Sequence, residues 1–182
     1  MEDKTATKIA KEIIYKLQEK DFTLATAESC TGGAIAATIT SIAGCSSVYK
    51  GSVVAYCNEI KATILGVNKH TLDKYGAVSE ETVHEMVRGI KKITGSCCAI
   101  ATSGIAGPGG GSPEKPVGTV WMAISVNGTT ETHLLQLNDE GRARNIENTT
   151  AHALSLLLKM LNKEESFYYK KENNSLFVCT II

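Results

Sequence analysis

The sequence has no excess of charge of either sign: 19 Lys and Arg stand against 19 Asp and Glu, a formal net charge of zero. A dedicated nucleic-acid binder normally carries a basic surplus on its binding domain, so no nucleic-acid partner is expected. Also missing is any run of about 18 apolar residues, the length a membrane helix needs. The stretch GAIAATITSIAG is too short and too rich in Thr and Ser. The opening MEDKTATKIAKEII alternates charges and has no apolar h-region, so it reads as neither a signal peptide nor a membrane segment. A cytoplasmic protein without a membrane partner is the expectation. The six cysteines form no C-x-x-C pair, and Cys97 and Cys98 are adjacent, a poor start for a zinc site or a disulfide framework. Most of them, Cys45, Cys97 and Cys98 among these, read as small buried hydrophobes, and no metal is expected. His70, His84, His133 and His152 have no nucleophile signature beside them. The glycine-rich segment is followed by no Gly-Lys-Ser/Thr and lacks the G-x-G-x-x-G order, which excludes a Walker loop and a dinucleotide fingerprint. No internal repeat is visible.

What is present is the material of one globular domain: 182 residues, 43% hydrophobic and 21% charged. Ile9, Ile13 and Leu17, with Ala6 and Ala10, share one face at helical spacing and predict a helix over 4–20. FTLATA then predicts a strand, and Gly32-Gly33 opens a small-residue helix to about Ile42. GSVVAY reads as a second strand and NEIKATIL as a short helix closed by Gly66, while residues 66–79 read as a loop. Ser79 is the expected N-cap of a helix carrying Glu80 and Glu81 in its first turn and burying Val83, Met86, Val87, Ile90 and Ile93. SCCAIATS predicts a strand buried on both faces. After the glycine-rich segment, Asn127-Gly128 announces a hairpin, and Leu154, Leu157, Leu158 and Leu161 line the inner face of a last helix over about 142–161. The expected fold is α/β, a three-layer αβα sandwich whose mixed sheet is covered by helices on both faces. The functional domain is expected over 1–162, with a tail over 163–182 whose polar beginning leads to SLFVCTII, an edge strand or a docked extension.

In such sheets, sites form beyond the carboxyl ends of strands, where ESCTGG, AYCNEIK and TSGIAGPGGG fall. Ser29 sits at a strand-to-helix turn, its hydroxyl free to project, with the amides near Gly32 and Gly33 suited to an oxyanion or a phosphate. The alternative is that Ser29 or Thr31 only caps the helix. A serine needs a base, and Lys61 qualifies if burial lowers its pKa by roughly 3 units, disfavouring its charge by about 4 kcal/mol; otherwise it is an exposed helix lysine. Tyr56 is placed to relay a proton or to orient that lysine. The glycine-rich segment either presents amides to an anion or is a flexible loop. Arg142, opening the last helix, either clamps an anion or is a solvated surface arginine.

Taken together, TAESCTGG, GSVVAYCNEIKATILGV, GAVSEETV, TSGIAGPGGGSPEKPVGTVW and GRARN resemble the C-terminal domain of the competence/damage-inducible protein CinA, in order and spacing, from about residue 4 to residue 162. That family includes stand-alone nicotinamide mononucleotide (NMN) deamidases, and the chain resembles that single-domain form. The resemblance implies hydrolysis of NMN to nicotinate mononucleotide and ammonia, without metal or cofactor, in a homodimer or larger assembly. It implies Ser29 as nucleophile and Lys61 as base, with Tyr56 nearby and Ser103 supplying a hydroxyl where relatives often have threonine. Thr31, Gly32, Gly33, Gly104, Gly107, Gly109, Gly110 and Arg142 would hold the substrate. Ile146 stands where relatives often have arginine, so one anion contact is expected to be lost or moved to Arg144. Two rival readings remain at this point: Cys30 as the nucleophile, and a non-catalytic nucleotide-binding or competence-associated interaction module.

Overall fold

Ala6, Ala10, Ile13, Ile14 and Leu17 are all buried, one stripe of helix α1 (Lys4–Glu19). The computed structural model describes the backbone of residues 4–175 and the side chains of residues 6–164. Strand β1 (Leu24–Glu28) follows, then helix α2 (Ala34–Thr40), strand β2 (Tyr49–Val54) and helix α3 (Asn58–Thr63). Helices α4 (Lys69–Tyr75) and α5 (Glu80–Thr94) precede strand β3 (Cys98–Gly104), the β4 (Thr119–Val126) and β5 (Thr129–Gln136) hairpin, and helix α6 (Arg142–Ser175).

The sheet order is β2-β1-β3-β4-β5, with β1 parallel to β2 and β3 and the β3–β4 and β4–β5 pairs antiparallel. Alternation along the strands gives the sheet two unlike faces. Leu24, Ile100, Met122 and Ile124 pack with α1, α2 and α6, whereas Ala25, Ala27, Ala99, Ala101 and Ala123 pack beneath α5 and the α3–α4 region. Bulky side chains support a layer of helices on one face. Alanines let α5 approach closely on the other. The result is the mixed, doubly covered α/β sheet that the alternation of elements predicts.

Most elements fall where the pattern puts them, with instructive exceptions. Residues 69–75 are helical rather than loop, because Asn68 caps α4 through its side chain and Glu85 on α5 accepts from the Asn68 amide (2.6 Å) and the Thr71 hydroxyl (2.7 Å). Ser79 caps α5 as expected, accepting from the Thr82 amide, but Ile93 is 52% exposed, outside the buried stripe. Asn127 (φ 45°) and Gly128 (φ 92°) form the two-residue turn joining β4 to β5. Helix α6 continues past 161 to Ser175. Residues 176–182, on which the expectation of a terminal strand or extension bears, lie outside the described residues.

Candidate active site

The chain leaves β1 toward β2 on one side and later enters β3 on the other, so the carboxyl ends of β1 and β3 form a topological switch point. This is where open α/β sheets build crevices. Glu28 pairs with Thr102 in the parallel register, which sets Ser29 and Ser103 just beyond on neighbouring strand ends.

Ser29 is 7% exposed and its amide donates to Thr102 O (3.0 Å). Lys61 enters from α3. Its side chain is 1% exposed, and Nζ stands 2.9 Å from Ser29 Oγ and donates to Ala55 O, also at 2.9 Å. The turn that carries Ala55 is tied to the same strand end, since the Ala55 amide donates to Glu28 O (2.8 Å). Burial is the chief cause that lowers the Lys61 pKa; negative charge potential at Cys30 and Cys57 acts the other way. No carboxylate touches the amine among the described residues. A buried lysine with only a hydroxyl and a carbonyl for company favours its neutral form, the form able to accept a proton from serine.

Cys30, beside Ser29, is buried, and that burial pushes its thiol up to about 12. Its thiolate is therefore scarce near neutral pH, against its use as a nucleophile.

Tyr56 is 60% exposed and makes no hydrogen bond to Lys61 or Ser29 among the described residues, which corrects the expectation of a relay. Its hydroxyl instead accepts from Arg142 at 2.6 Å, and the same guanidinium donates to Gly107 O at 2.9 Å. Tyr56, Arg142 and the glycine-rich loop thus meet at one rim. Ser103 is 1% exposed and donates to Ala77 O (2.7 Å), holding the α4–α5 connection rather than contacting Ser29. Lys115 reinforces that connection by donating to Tyr75 O (3.0 Å) and Val78 O (2.7 Å).

Among the glycines, Gly104 is required by close packing: a Cβ there would lie 2.6 Å from Val120 Cγ2 and 2.7 Å from Thr119 O. Gly107 is buried with φ 87°, whereas Gly109 and Gly110 are exposed on the loop. The amides at Gly32 and Gly33 are not available to a ligand: Gly32 N–H donates to Ser29 O (3.1 Å) and Gly33 N–H to Glu28 Oε2 (3.1 Å). Thr31 donates to Glu28 Oε2 (2.7 Å) and lies 2.9 Å from the Thr102 hydroxyl. The Cys30 and Thr31 amides are directed at the Cys30 sulfur, a weak acceptor.

Two residues go beyond the sequence-based expectations. Glu28, wholly buried, binds the start of α2. Asn145, 1% exposed, donates to Ala106 O (3.1 Å) and Asp139 Oδ1 (3.2 Å), fixing the base of the glycine-rich loop, and its Oδ1 is buried with no partner among the described residues. Arg144 supplies no replacement anion contact at this rim; it faces solvent and pairs with Glu147 (3.0 Å) and Glu140 (3.9 Å). An open depression of about 780 Å³ on the outer side of α5, lined by His84, Arg88, Lys91 and Thr130 among others, contains none of the candidate site residues. Among the described residues, no group of three or more His, Cys, Asp or Glu is arranged to hold a metal, and no helix is long and apolar enough to cross a membrane.

Residues 6–161 match the family model described as CinA C-terminal domain. A CinA-like protein of Fervidobacterium nodosum is 58% identical over 119 residues, 64% of this chain and 29% of that protein. One of Cytophaga hutchinsonii is 48% identical over 147 residues, 81% of this chain and 35% of the relative. The chain spans about a third of the length of these relatives. Among solved structures, the competence/damage inducible protein CihA from Agrobacterium tumefaciens superposes with a TM-score of 0.85 at 40% identity, covering 89% of this chain and 98% of that one. A CinA superfamily protein from Escherichia coli superposes at 0.83 with 28% identity, covering 88% and 93%.

Proposed function

The chain belongs to the CinA C-terminal domain family, and from that premise we propose that it is an amidohydrolase that converts NMN to nicotinate mononucleotide and ammonia through an acyl-enzyme on Ser29. The observation that carries the reading is the buried Ser29–Lys61 pair, 2.9 Å apart with the amine disposed to be neutral. A binding module has no use for a desolvated lysine held against a serine hydroxyl.

Neutral Lys61 accepts the Ser29 proton as Oγ attacks the carboxamide carbon, giving a tetrahedral intermediate. The oxyanion is assigned to the Cys30 and Thr31 amides, which it would take over from the weakly accepting Cys30 sulfur, whereas Glu28 and the turn itself hold the next ones; losing one such donor typically costs about 3 kcal/mol. The protonated amine then gives its proton to the departing nitrogen, so that ammonia leaves and an ester remains on Ser29. Water attacks the ester, Lys61 takes its proton, and collapse of the second intermediate returns a proton to Ser29 Oγ. Arg142, steadied by Tyr56 and Gly107 O, lies at the rim where the phosphate of a nucleotide would be held.

The test is ammonia release from NMN by the wild-type chain and by Ser29→Ala, Lys61→Met and Cys30→Ser, with and without a chelator. The first two variants lose turnover and the third keeps it, indifferent to chelation. An active Ser29→Ala beside a dead Cys30→Ser would reject the serine, and NMN binding without turnover by the wild type would favour a non-catalytic module.

A further inference from the structure

The first turn of a helix is an anion site only while its amides are free. In α2 they are taken from inside the protein. The Glu28 side chain, the last residue of β1 and 0% exposed, turns back over the start of α2. Its Oε2 accepts from the amides of Gly33 and Ile35, each at 3.1 Å, and from the Thr31 hydroxyl at 2.7 Å. Its Oε1 accepts from the Ala36 amide at 2.8 Å and the Thr26 hydroxyl at 3.3 Å, and Thr26 in turn lies 2.6 Å from the Tyr49 hydroxyl. One carboxylate therefore joins the strand before Ser29 to the helix after it, across a turn of five residues.

We infer that Glu28 is the positioning residue for Ser29: its carboxylate clamps the two ends of the 29–33 turn and so fixes the hydroxyl against Lys61. This rests on the reading of Ser29 as nucleophile. The effect travels through backbone, because Glu28 makes no hydrogen bond to Lys61 or to Ser29 Oγ among the described residues. Five donors converge on a carboxylate that the reaction itself does not use. A carboxamide at this position retains one acceptor oxygen but sets an N–H₂ group against an amide donor, loosening the clamp without emptying the site. Removing the side chain leaves buried donors unsatisfied.

The experiment compares the wild type with Glu28→Gln and, as a milder perturbation from behind the carboxylate, Thr26→Val. NMN kinetics are measured well below each protein's melting temperature, together with the rate at which a fluorophosphonate labels Ser29, located by mass spectrometry. A misplaced hydroxyl predicts that Glu28→Gln lowers kcat by about 10–100-fold with KM nearly unchanged, that labelling slows in proportion, and that the acid limb of the kcat profile stays in place. Thr26→Val shows the same pattern at smaller amplitude, which keeps the test open if Glu28→Gln folds poorly. A purely structural role would lower the melting temperature while leaving kcat and labelling of the folded protein intact, and would overturn the inference, as would a shifted acid limb. Absence of both labelling and turnover in the wild type would overturn the functional reading and this inference with it. Wild-type labelling with unchanged variants would overturn this inference alone.

Discussion

At the residue scale the proposed chemistry depends on one amine being uncharged. Lys61 has its pKa lowered by burial, so kcat for NMN is expected to rise with pH along a limb set below the ordinary lysine value, and Lys61→Arg, which stays protonated, is expected to remove activity. A pH-rate profile checks this. Stability follows with a definite sign: between its lowered folded-state value and the ordinary lysine value, the unfolded chain binds the proton more readily than the folded one. The Lys61 contribution to stability is therefore fully favourable above that window and declines as pH falls through it. Denaturant titrations of wild type and Lys61→Met should consequently diverge in favour of the variant as pH is lowered across the window, whatever their offset. Sequence spacing does not bring Ser29 and Lys61 together; their separation of 32 positions closes only because β2 returns beside β1 and α3 turns back over its end. Tyr56 and Arg142 are legible as singular residues but not as a pair, since their contact spans 86 positions. Glu28 offered one signal, a carboxylate just before two glycines and a helix, which is easily taken for part of the reactive cluster rather than its clamp.

At the element scale, α5 shows packing overriding propensity. Replacing a glycine inside an open helix by alanine gains about 0.5–1 kcal/mol, but a Cβ on Gly89 would sit 1.9 Å from Leu65 O and 2.8 Å from Leu65 C. Overpacking of this kind costs about 1–3 kcal/mol, so the clash wins. Gly89→Ala is expected to lower the melting temperature by several degrees, taking about 2–4 °C per kcal/mol at this size. Because Val67 N–H donates to Lys61 O (3.0 Å), displacement of Leu65 should also lower kcat. Calorimetry and NMN kinetics on one preparation check both. The amphipathic helices α1 and α5 are legible because their stripes are long. Helix α4 is not, since only Thr71 and Leu72 are buried in seven residues and its cap partner, Glu85, comes from another helix.

At the scale of the whole molecule, the alternation of elements makes the doubly covered sheet legible, while the strand order, and with it the switch point, is set by long-range pairing that no local pattern encodes. The family match ends at residue 161, and every side chain placed at the site lies between Glu28 and Asn145. A chain ending after Glu164 keeps the Lys163–Glu131 ion pair (3.0 Å) and is expected to match the full chain in kcat and KM for NMN. Altered KM would mean that the removed residues govern access. The Asn127–Gly128 turn lies at the opposite end of the sheet from Ser29, because Val126 pairs with Cys98 while Gly104 pairs with Val120. It is consequently a natural tether point: a peptide handle spliced there would anchor the protein to a bead or sensor surface with its mouth facing the liquid, at full speed, whereas the same handle in the glycine-rich loop would stop it.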